Sequence, residues 1–286
     1  MAKIAQFAVV SPTAELAADV EVGPFCVIED GVTIGPGCRL ASHVVIKQGT
    51  TLGTNNTLHE GVILGGLPQH AHAPENPGPL VIGNHNTLRE HVTVHRALAA
   101  DQSTVIGDHN LLMVGTHVAH DCVVGNHVIM ANNAALSGHV EVADRAFISG
   151  LVGVHQFCRI GRMAMIGGLA RVAQDVPPFV MIDGDTGRVV GLNVVGLRRG
   201  GYTAEQISQL KQAYRLIFRS GILWAEILQR LQNEFTEGPA AEFHSFLSQS
   251  KRGFVHERRA PAAATLRIDE SKSETEAEKV LRVRAG

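Results

Sequence analysis

The run Thr116-His-Val-Ala-His-Asp-Cys-Val-Val-Gly-Asn-His-Val-Ile-Met-Ala-Asn-Asn-Ala-Ala-Leu-Ser-Gly-His139 decides how the chain folds. It opens on the polar cluster Thr116 to Asp121, returns to one at Ser137-Gly138-His139, and is followed by another at His155-Gln156. Thr116 to Ala134 is 18 residues and Ala134 to Val152 is 18 again. Spacing this strict predicts successive coils of a solenoid that stack the clusters on one face.

Eighteen is three sixes. Counted in sixes from Ala2, the third residue reads Ile4, Val10, Leu16, Val22, Ile28, Ile34, Leu40, Ile46, Leu52, Leu58 and Leu64. After one interruption it resumes as Ile82, Leu88 and Val94, and after a second it runs from Ile106 through Val118, Leu136 and Val154 to Val172. The first residue is mostly small or β-branched (Val20, Val32, Val44, Thr104, Thr116, Val140), and the fourth is often Gly (Gly23, Gly35, Gly53, Gly83, Gly107, Gly125). The strand period of two points residues one and three inward, and a small fourth residue is expected to open a turn. About 26 sixes, or nearly nine three-sided coils, make a hexapeptide-repeat β-helix. No six can bury its apolar face alone; stacking gives one continuous aliphatic core.

Composition agrees. Aromatic residues are 5% of 286 while Gly numbers 30, lean for a sandwich and natural for a narrow solenoid. A net charge of −2 points to neither a nucleic acid nor an anionic membrane as partner. The apolar start Ile4 to Val10 is too short to span a bilayer and lies in register with the repeat, so neither a signal peptide nor stable membrane insertion is expected. Cys26, Cys38, Cys122 and Cys158 all take the first, inward place of their sixes and form no C-x-x-C pair. They read as core residues in a reducing, cytoplasmic protein.

Two stretches lack the pattern, and both read as loops: 68–79, rich in Pro, and 98–103. The sixes 62–67, 92–97, 116–121, 134–139 and 152–157 then share one side of the prism, and both loops leave at one corner beside the histidines. Pro177-Pro178 ends the repeat, giving a β-helix over 1–178. A linker and helices are expected over 179–254. Thr203-Ala-Glu-Gln206 is a capping box ahead of Ile207, Leu210, Tyr214, Ile217 and Phe218, and Gly221 breaks that helix. A second helix carries Trp224, Ile227, Leu228, Leu231 and Phe235, and a third carries Phe243, Phe246 and Leu247. Over 255–286 the chain is charged and poor in bulky apolar residues, which predicts a disordered tail.

There are 15 histidines. His43, His59, His85, His109 and His127 read as solvated corner residues. His120 differs because Asp121 follows it and His117, His139 and His155 lie within two coils on the same face. A carboxylate beside an imidazole orients it and favours its cation, which suits a general base at an outward corner. No Gly-x-Ser-x-Gly elbow occurs, so direct attack by a bound substrate is expected rather than an acyl-enzyme. The spacing of His117 and His120 leaves open a three-histidine zinc site of the gamma-carbonic-anhydrase kind.

The runs Asn110-Leu-Leu-Met113, His117-Val-Ala-His-Asp-Cys122, Ala131-Asn-Asn-Ala134, Ser137-Gly-His139, Val154-His-Gln-Phe157 and Val172-Ala-Gln-Asp-Val-Pro-Pro178 resemble the acyl-ACP–UDP-N-acetylglucosamine O-acyltransferases that start lipid A synthesis. The likeness covers roughly residues 2–254. It implies an all-β left-handed parallel β-helix followed by a small α-helical C-terminal domain. It also implies a homotrimer with active sites between subunits, acyl carrier protein and a UDP-sugar as partners, and no metal or other cofactor. His120 matches the family's general base, held by Asp121, which takes the proton of the glucosamine 3-hydroxyl as that oxygen attacks the acyl thioester. Gly138 matches the residue whose backbone N–H stabilises the oxyanion. His117, His139, His155, Gln156 and, in the first loop, His72 match substrate-contacting positions; Asn193 and Arg199 match residues that hold the nucleotide. Gly168 matches the acyl-chain ruler, where Gly leaves the groove open and implies a long 3-hydroxyacyl chain.

Some positions depart from that pattern. His70 and His72 stand where many members have Asp and Lys, Val195 replaces a Glu, and Gly200 replaces an Arg. The reactive block is intact while the sugar-nucleotide contacts are altered, which leaves a 3-amino or other nucleotide sugar open as acceptor. An acetyl-CoA-dependent sugar acetyltransferase and a non-catalytic scaffold are the further alternatives. The related N-acyltransferases carry an N-terminal uridine-binding domain, which the hexads beginning at Ala2 do not match.

Overall fold

In each six the second and third residues form a two-residue strand, and successive strands fall on successive faces. The computed structural model describes residues 1–258. The strands build three sheets, of 11, 9 and 8 strands, each strand but the last of the first sheet pairing in parallel with the one a coil away. The ladder Val94–Val118–Leu136–Val154–Val172 climbs the second sheet without a register shift, and its side chains are at most 1% exposed. The chain is a left-handed parallel β-helix with a small helical C-terminal region.

The four cysteines are free and buried among the inward aliphatics. Asn56, Asn86 and Asn110 also occupy inward places, at 2% exposure or less. Each amide oxygen accepts a backbone N–H from the next coil (Asn86, Asn110 and Val128, 2.7–2.9 Å). The amide nitrogens of Asn56 and Asn86 donate to the Gly83 and Gly107 carbonyls, while that of Asn110 has no partner among the described residues. At the open N-terminal end no coil lies below, and Ile4 stays 49% exposed.

The corners work differently from the expectation. The fourth-position glycines other than Gly65 have ordinary φ; what they need is space. A Cβ at Gly23, Gly35 or Gly107 would lie 2.6–2.7 Å from a carbonyl oxygen of the next coil. The left-handed residue is the sixth, as at Phe25, His43, Asn55, His85, His109, Asp121, His127, His139 and Phe157, with φ between 54° and 64°. A left-handed backbone costs a non-glycine residue about 1–2 kcal/mol, and contact between coils offsets part of that. Imidazoles of His85, His109 and His127 stack at 4.8 and 4.9 Å, and Phe7, Phe25 and His43 at 5.4 and 5.0 Å. These histidines are thus rungs of a stacked column rather than isolated solvated residues. At most corners the fifth residue's N–H takes no backbone acceptor in the next coil, though at Thr54, Asn84, Asp108 and Asn126 it donates to a side chain there. Pro24 and Pro36 fit at such places.

The stretch expected to be a linker after Pro178 instead prolongs the first sheet. Val180–Ile182 adds in parallel and Val189–Leu192 folds back antiparallel, because Phe179, Val180 and Ile182 still supply the inward pattern. Helix α1 (Val194–Arg199) follows, then α2 (Ala204–Arg219) with its capping box formed, α3 (Trp224–Glu234) and α4 (Ala241–Ser248). Buried Phe243 meets Phe179 at 5.8 Å and Arg162 pairs with Glu242, fastening the helices to the last coils. The expected tail also starts too early. Val255 is 6% exposed and donates to the Asp175 carbonyl, Glu257 accepts from Tyr214 (2.7 Å) and Arg219, and Arg258 donates its N–H to the Val189 carbonyl. Residues 259–286, the rest of that expectation, lie outside the described residues.

The two corner requirements separate by mutation. Gly31 has φ 65° and nothing within 4 Å of an added Cβ, whereas Gly107 has ordinary φ and backbone in the way. Gly31→Asn is expected to lose well under ~1 kcal/mol, since Asn tolerates the left-handed region. Gly107→Asn is expected to lose about 1–3 kcal/mol by overpacking. Urea midpoints of the two variants measure the difference; equal midpoints would refute the distinction.

Candidate active site

His120 and Asp121 are the fifth and sixth residues of one six, at the corner between the second and third sheets. The left-handed backbone of Asp121 (φ 59°) is anchored by its own N–H, which donates to Thr104 Oγ1 at 2.8 Å. Its carboxylate accepts the Leu98 N–H at 3.1 Å, so the second loop begins on this residue. The same oxygen lies 2.6 Å from His120 Nδ1. That bond commits Nδ1 and leaves Nε2 as the nitrogen for a substrate.

One coil on, Gly138 lies against the imidazole: a Cβ there would come within 2.6–3.1 Å of three ring atoms. As a fifth residue, Gly138 has an N–H that takes no acceptor among the described residues. His139 donates its N–H to the His120 carbonyl at 3.0 Å, and its ring stands perpendicular to that of His120 at 5.2 Å. Phe157, another coil on, stacks flat on His139 at 4.5 Å. From the first loop His70 closes the other side, its ring 6.0 Å from His120. His120 is therefore 8% exposed, not the outward, open residue expected of a corner, because Gly138, His139 and the first loop cover it.

Electrostatically the corner favours neutral imidazoles around His120. Burial lowers the pKa of His117, and burial outweighs the nearby Asp121 to lower that of His139. His117 Nδ1 shares a 2.8 Å hydrogen bond with Thr93 Oγ1. Edge-on to it at 4.8 Å stands His95, a residue the sequence reading passed over. Burial, reinforced by His117 and His120, pushes His95 down to about 4, and its Nδ1 is buried without a partner. Its only signal in the sequence is its place as the fourth residue of the six that precedes the second loop, where other sixes often carry Gly.

The remaining candidates lie apart. His155 and Gln156 are exposed two coils on, where His155 Nδ1 faces the Gln156 carbonyl at 3.2 Å and Arg252 Nη2 at 3.3 Å. His72 is exposed on the first loop, its N–H donated to His70 Nδ1. Asn193 caps α1, accepting from the Gly196 N–H and donating to the Met163 carbonyl, which puts it at the corner between the third and first sheets. Arg199 is exposed at the end of α1. Gly168 lies at the corner between the first and second sheets, with only the Gly150 carbonyl within 3.4 Å of an added Cβ.

A groove of about 1100 Å³ leads from Asp121 and His139 past Phe157 to the C-terminal turn at Lys251 and Arg252. His120, Asp121 and His139 hold ligand atoms within 4.8 Å of one another, a donor set that zinc accepts. His117, bonded to Thr93, is not part of that set.

Residues 13–48 and 103–138 match the bacterial transferase hexapeptide model (six repeats), and residues 175–255 match the second domain of UDP-N-acetylglucosamine O-acyltransferase. The acyl-ACP–UDP-N-acetylglucosamine O-acyltransferase of Halorhodospira halophila is 47% identical over 257 residues, 89% of this chain and 100% of that one. The chain belongs to this family. The family member from a Synechocystis strain aligns at 44% identity over 63% of this chain and 64% of its own length. Among solved structures, LpxA from Acinetobacter baumannii superposes with a TM-score of 0.85 at 41% identity, covering 88% of this chain and 99% of that one. The UDP-N-acetylglucosamine acyltransferase of Francisella novicida gives 0.87 at 33% identity, covering 90% and 95%.

The depressed His95 pKa predicts an acid-labile fold. The folded state holds this imidazole neutral to about 4, whereas the unfolded chain protonates near 6.5. Between those values the unfolded state binds more protons, so the stability contribution is full above 6.5, declines as pH falls and levels near 4. Denaturant unfolding at pH 7.5 and 4.5 should therefore show a smaller loss in His95→Gln than in the native chain. An identical loss would mean that His95 is not held neutral.

Proposed function

We propose that the chain transfers a 3-hydroxyacyl group from acyl carrier protein to the 3-hydroxyl of UDP-N-acetylglucosamine, the first step of lipid A biosynthesis. The observation that carries this is the 2.6 Å bond from His120 Nδ1 to Asp121, with Nε2 left facing the Gly138 corner. The 3-hydroxyl proton passes to Nε2 as its oxygen attacks the thioester carbonyl, and Asp121 stabilises the imidazolium. Charge then develops on the carbonyl oxygen, where the uncommitted Gly138 N–H donates to it. Collapse expels the carrier thiolate, which recovers the proton from His120.

His117, His139, His155, Gln156 and His72 surround the sugar and thioester in this reading. Asn193, Arg199 and Gly168 occupy the other two corners of the prism, so one chain cannot bring them to its own His120. A site that uses all of them forms between copies, which supports a homotrimer. Exposed Val9, Val27 and Ile63 on the outer face of the second sheet give such contacts apolar surface. Buried free thiols suit a reducing cytoplasm, and no described helix is long and apolar enough to cross a membrane.

His120→Ala should lower turnover with 3-hydroxyacyl-ACP and UDP-N-acetylglucosamine by ~10²–10⁴-fold in a folded protein, as expected for loss of a general base. Asp121→Asn should cost less, through a misaligned ring. Near-native turnover in His120→Ala would sink the assignment. Turnover lost on chelation and restored by zinc would favour the His120, Asp121 and His139 metal reading instead. A parallel assay with the 3-amino analogue decides the acceptor.

Gly168 has room for a side chain, so Gly168→Met should fold and place its thioether where a long acyl chain would pass. Competition between short and long acyl donors is expected to shift toward the short one, because each buried methylene is worth about 0.8 kcal/mol. Unchanged selectivity would remove Gly168 as the ruler.

A further inference from the structure

The groove has a second end that the acyl-transfer chemistry does not use. Residues Lys251 to Val255 cross it as a strap held to the last coil: Asp175 donates its N–H to the Gly253 carbonyl, and Val255 donates to the Asp175 carbonyl. Arg252 is fixed on this strap by bonds from Nη2 to the Ala173 carbonyl (3.4 Å) and His155 Nδ1 (3.3 Å). Most other charges along the groove are engaged: Asp175 takes Arg159 at 2.9 Å and Asp121 takes His120, while Glu141, in register with Arg159 across the ladder, forms no ion pair among the described residues. Among the described residues, Arg252 and Lys251 have no acidic partner.

Distance gives this cationic end a meaning. Arg252 contacts the coil of Ala173, three coils above that of His120 in the second-sheet ladder. At a strand spacing of about 4.8 Å, three coils are about 14 Å. An acyl thioester on a carrier protein hangs from a phosphopantetheine arm of roughly 13 bonds between sulfur and phosphorus. An extended chain advances about 1.2 Å per bond, so the arm spans about 15 Å. With the thioester carbonyl at His120, the phosphate falls beside the strap.

We propose that Arg252, with Lys251 beside it, binds the phosphate of the donor's phosphopantetheine arm. The inference rests on the acyl-transfer reading above and names the donor's second anchor in that site. A guanidinium gives a phosphate charge-assisted, two-pronged hydrogen bonds that an ammonium does not reproduce.

The test compares two small donors, 3-hydroxyacyl-4′-phosphopantetheine and 3-hydroxyacyl-pantetheine, as a ratio of kcat/KM. The native chain should favour the phosphorylated donor by on the order of tenfold, the worth of one charged hydrogen bond. Arg252→Gln should bring the ratio close to one, and Arg252→Lys should keep part of it. If Arg252→Gln slows both donors alike, Arg252 acts only by steadying His155 and the proposal is wrong. It is equally wrong if the native chain shows no preference. Calorimetric binding of 4′-phosphopantetheine against pantetheine reads the same contrast without turnover. Absence of transfer from intact acyl-ACP to UDP-N-acetylglucosamine would defeat the proposed reaction, while the binding contrast would still decide the anchor.

Discussion

Each coil lies one strand spacing from the next, and after the third-sheet strands, at fourth residues such as Gly35, Gly53, Gly83, Gly107 and Gly125, that leaves the backbone no room for a side chain. A Cβ at Gly107 would meet both the Gly125 carbonyl and Asn126 at 2.6 Å. This contact keeps the coils in register, and the register in turn brings residues 18 apart into vertical columns. Stability here is repetitive: every coil buries its aliphatics only against its neighbours. The described chain closes its C-terminal end with the hairpin and helices and leaves its N-terminal coil open.

The site follows from the same geometry. A corner needs one left-handed residue per coil, and at one corner those residues are Asp121, His139 and Phe157. Stacking therefore places a carboxylate, an imidazole and an aromatic ring at successive levels beside His120. Both loops leave the prism at this corner: the Leu98 N–H from one binds the Asp121 carboxylate, and His70 from the other stands against the imidazole. A rigid column supplies the alignment that a general base requires, and the loops supply its burial.

Much of this was legible because a strict period constrains space. The third-position aliphatics fixed what is buried, the 18-residue interval fixed which histidines share a face, and the cysteines fell where inward places predicted. Other features depend on contacts that no period encodes. Gly at the fourth place suggested conformational freedom, but the freedom is used two residues later, by His, Asp and Asn as readily as by Gly. His120 is covered in part by a residue 50 positions away on the first loop, His70. His95 escaped notice because its partner His117 lies one coil above and across a loop. Asn193 matches a nucleotide-holding position, but nothing in the period shows that it also caps α1 and ties it to Met163. Residues 255–258 (Val-His-Glu-Arg) open a charged stretch, yet their backbone pairs with Asp175 and Val189, which composition alone does not reveal.

The account turns on one atom, His120 Nε2. A crystal structure of the assembled protein with UDP-N-acetylglucosamine measures its position relative to the sugar directly. The expected result places the 3-hydroxyl oxygen about 2.6–3.2 Å from Nε2, with Nδ1 still on Asp121. A sugar seated at this corner with another hydroxyl toward Nε2, or with its 3-hydroxyl bonded to a different base, would contradict it.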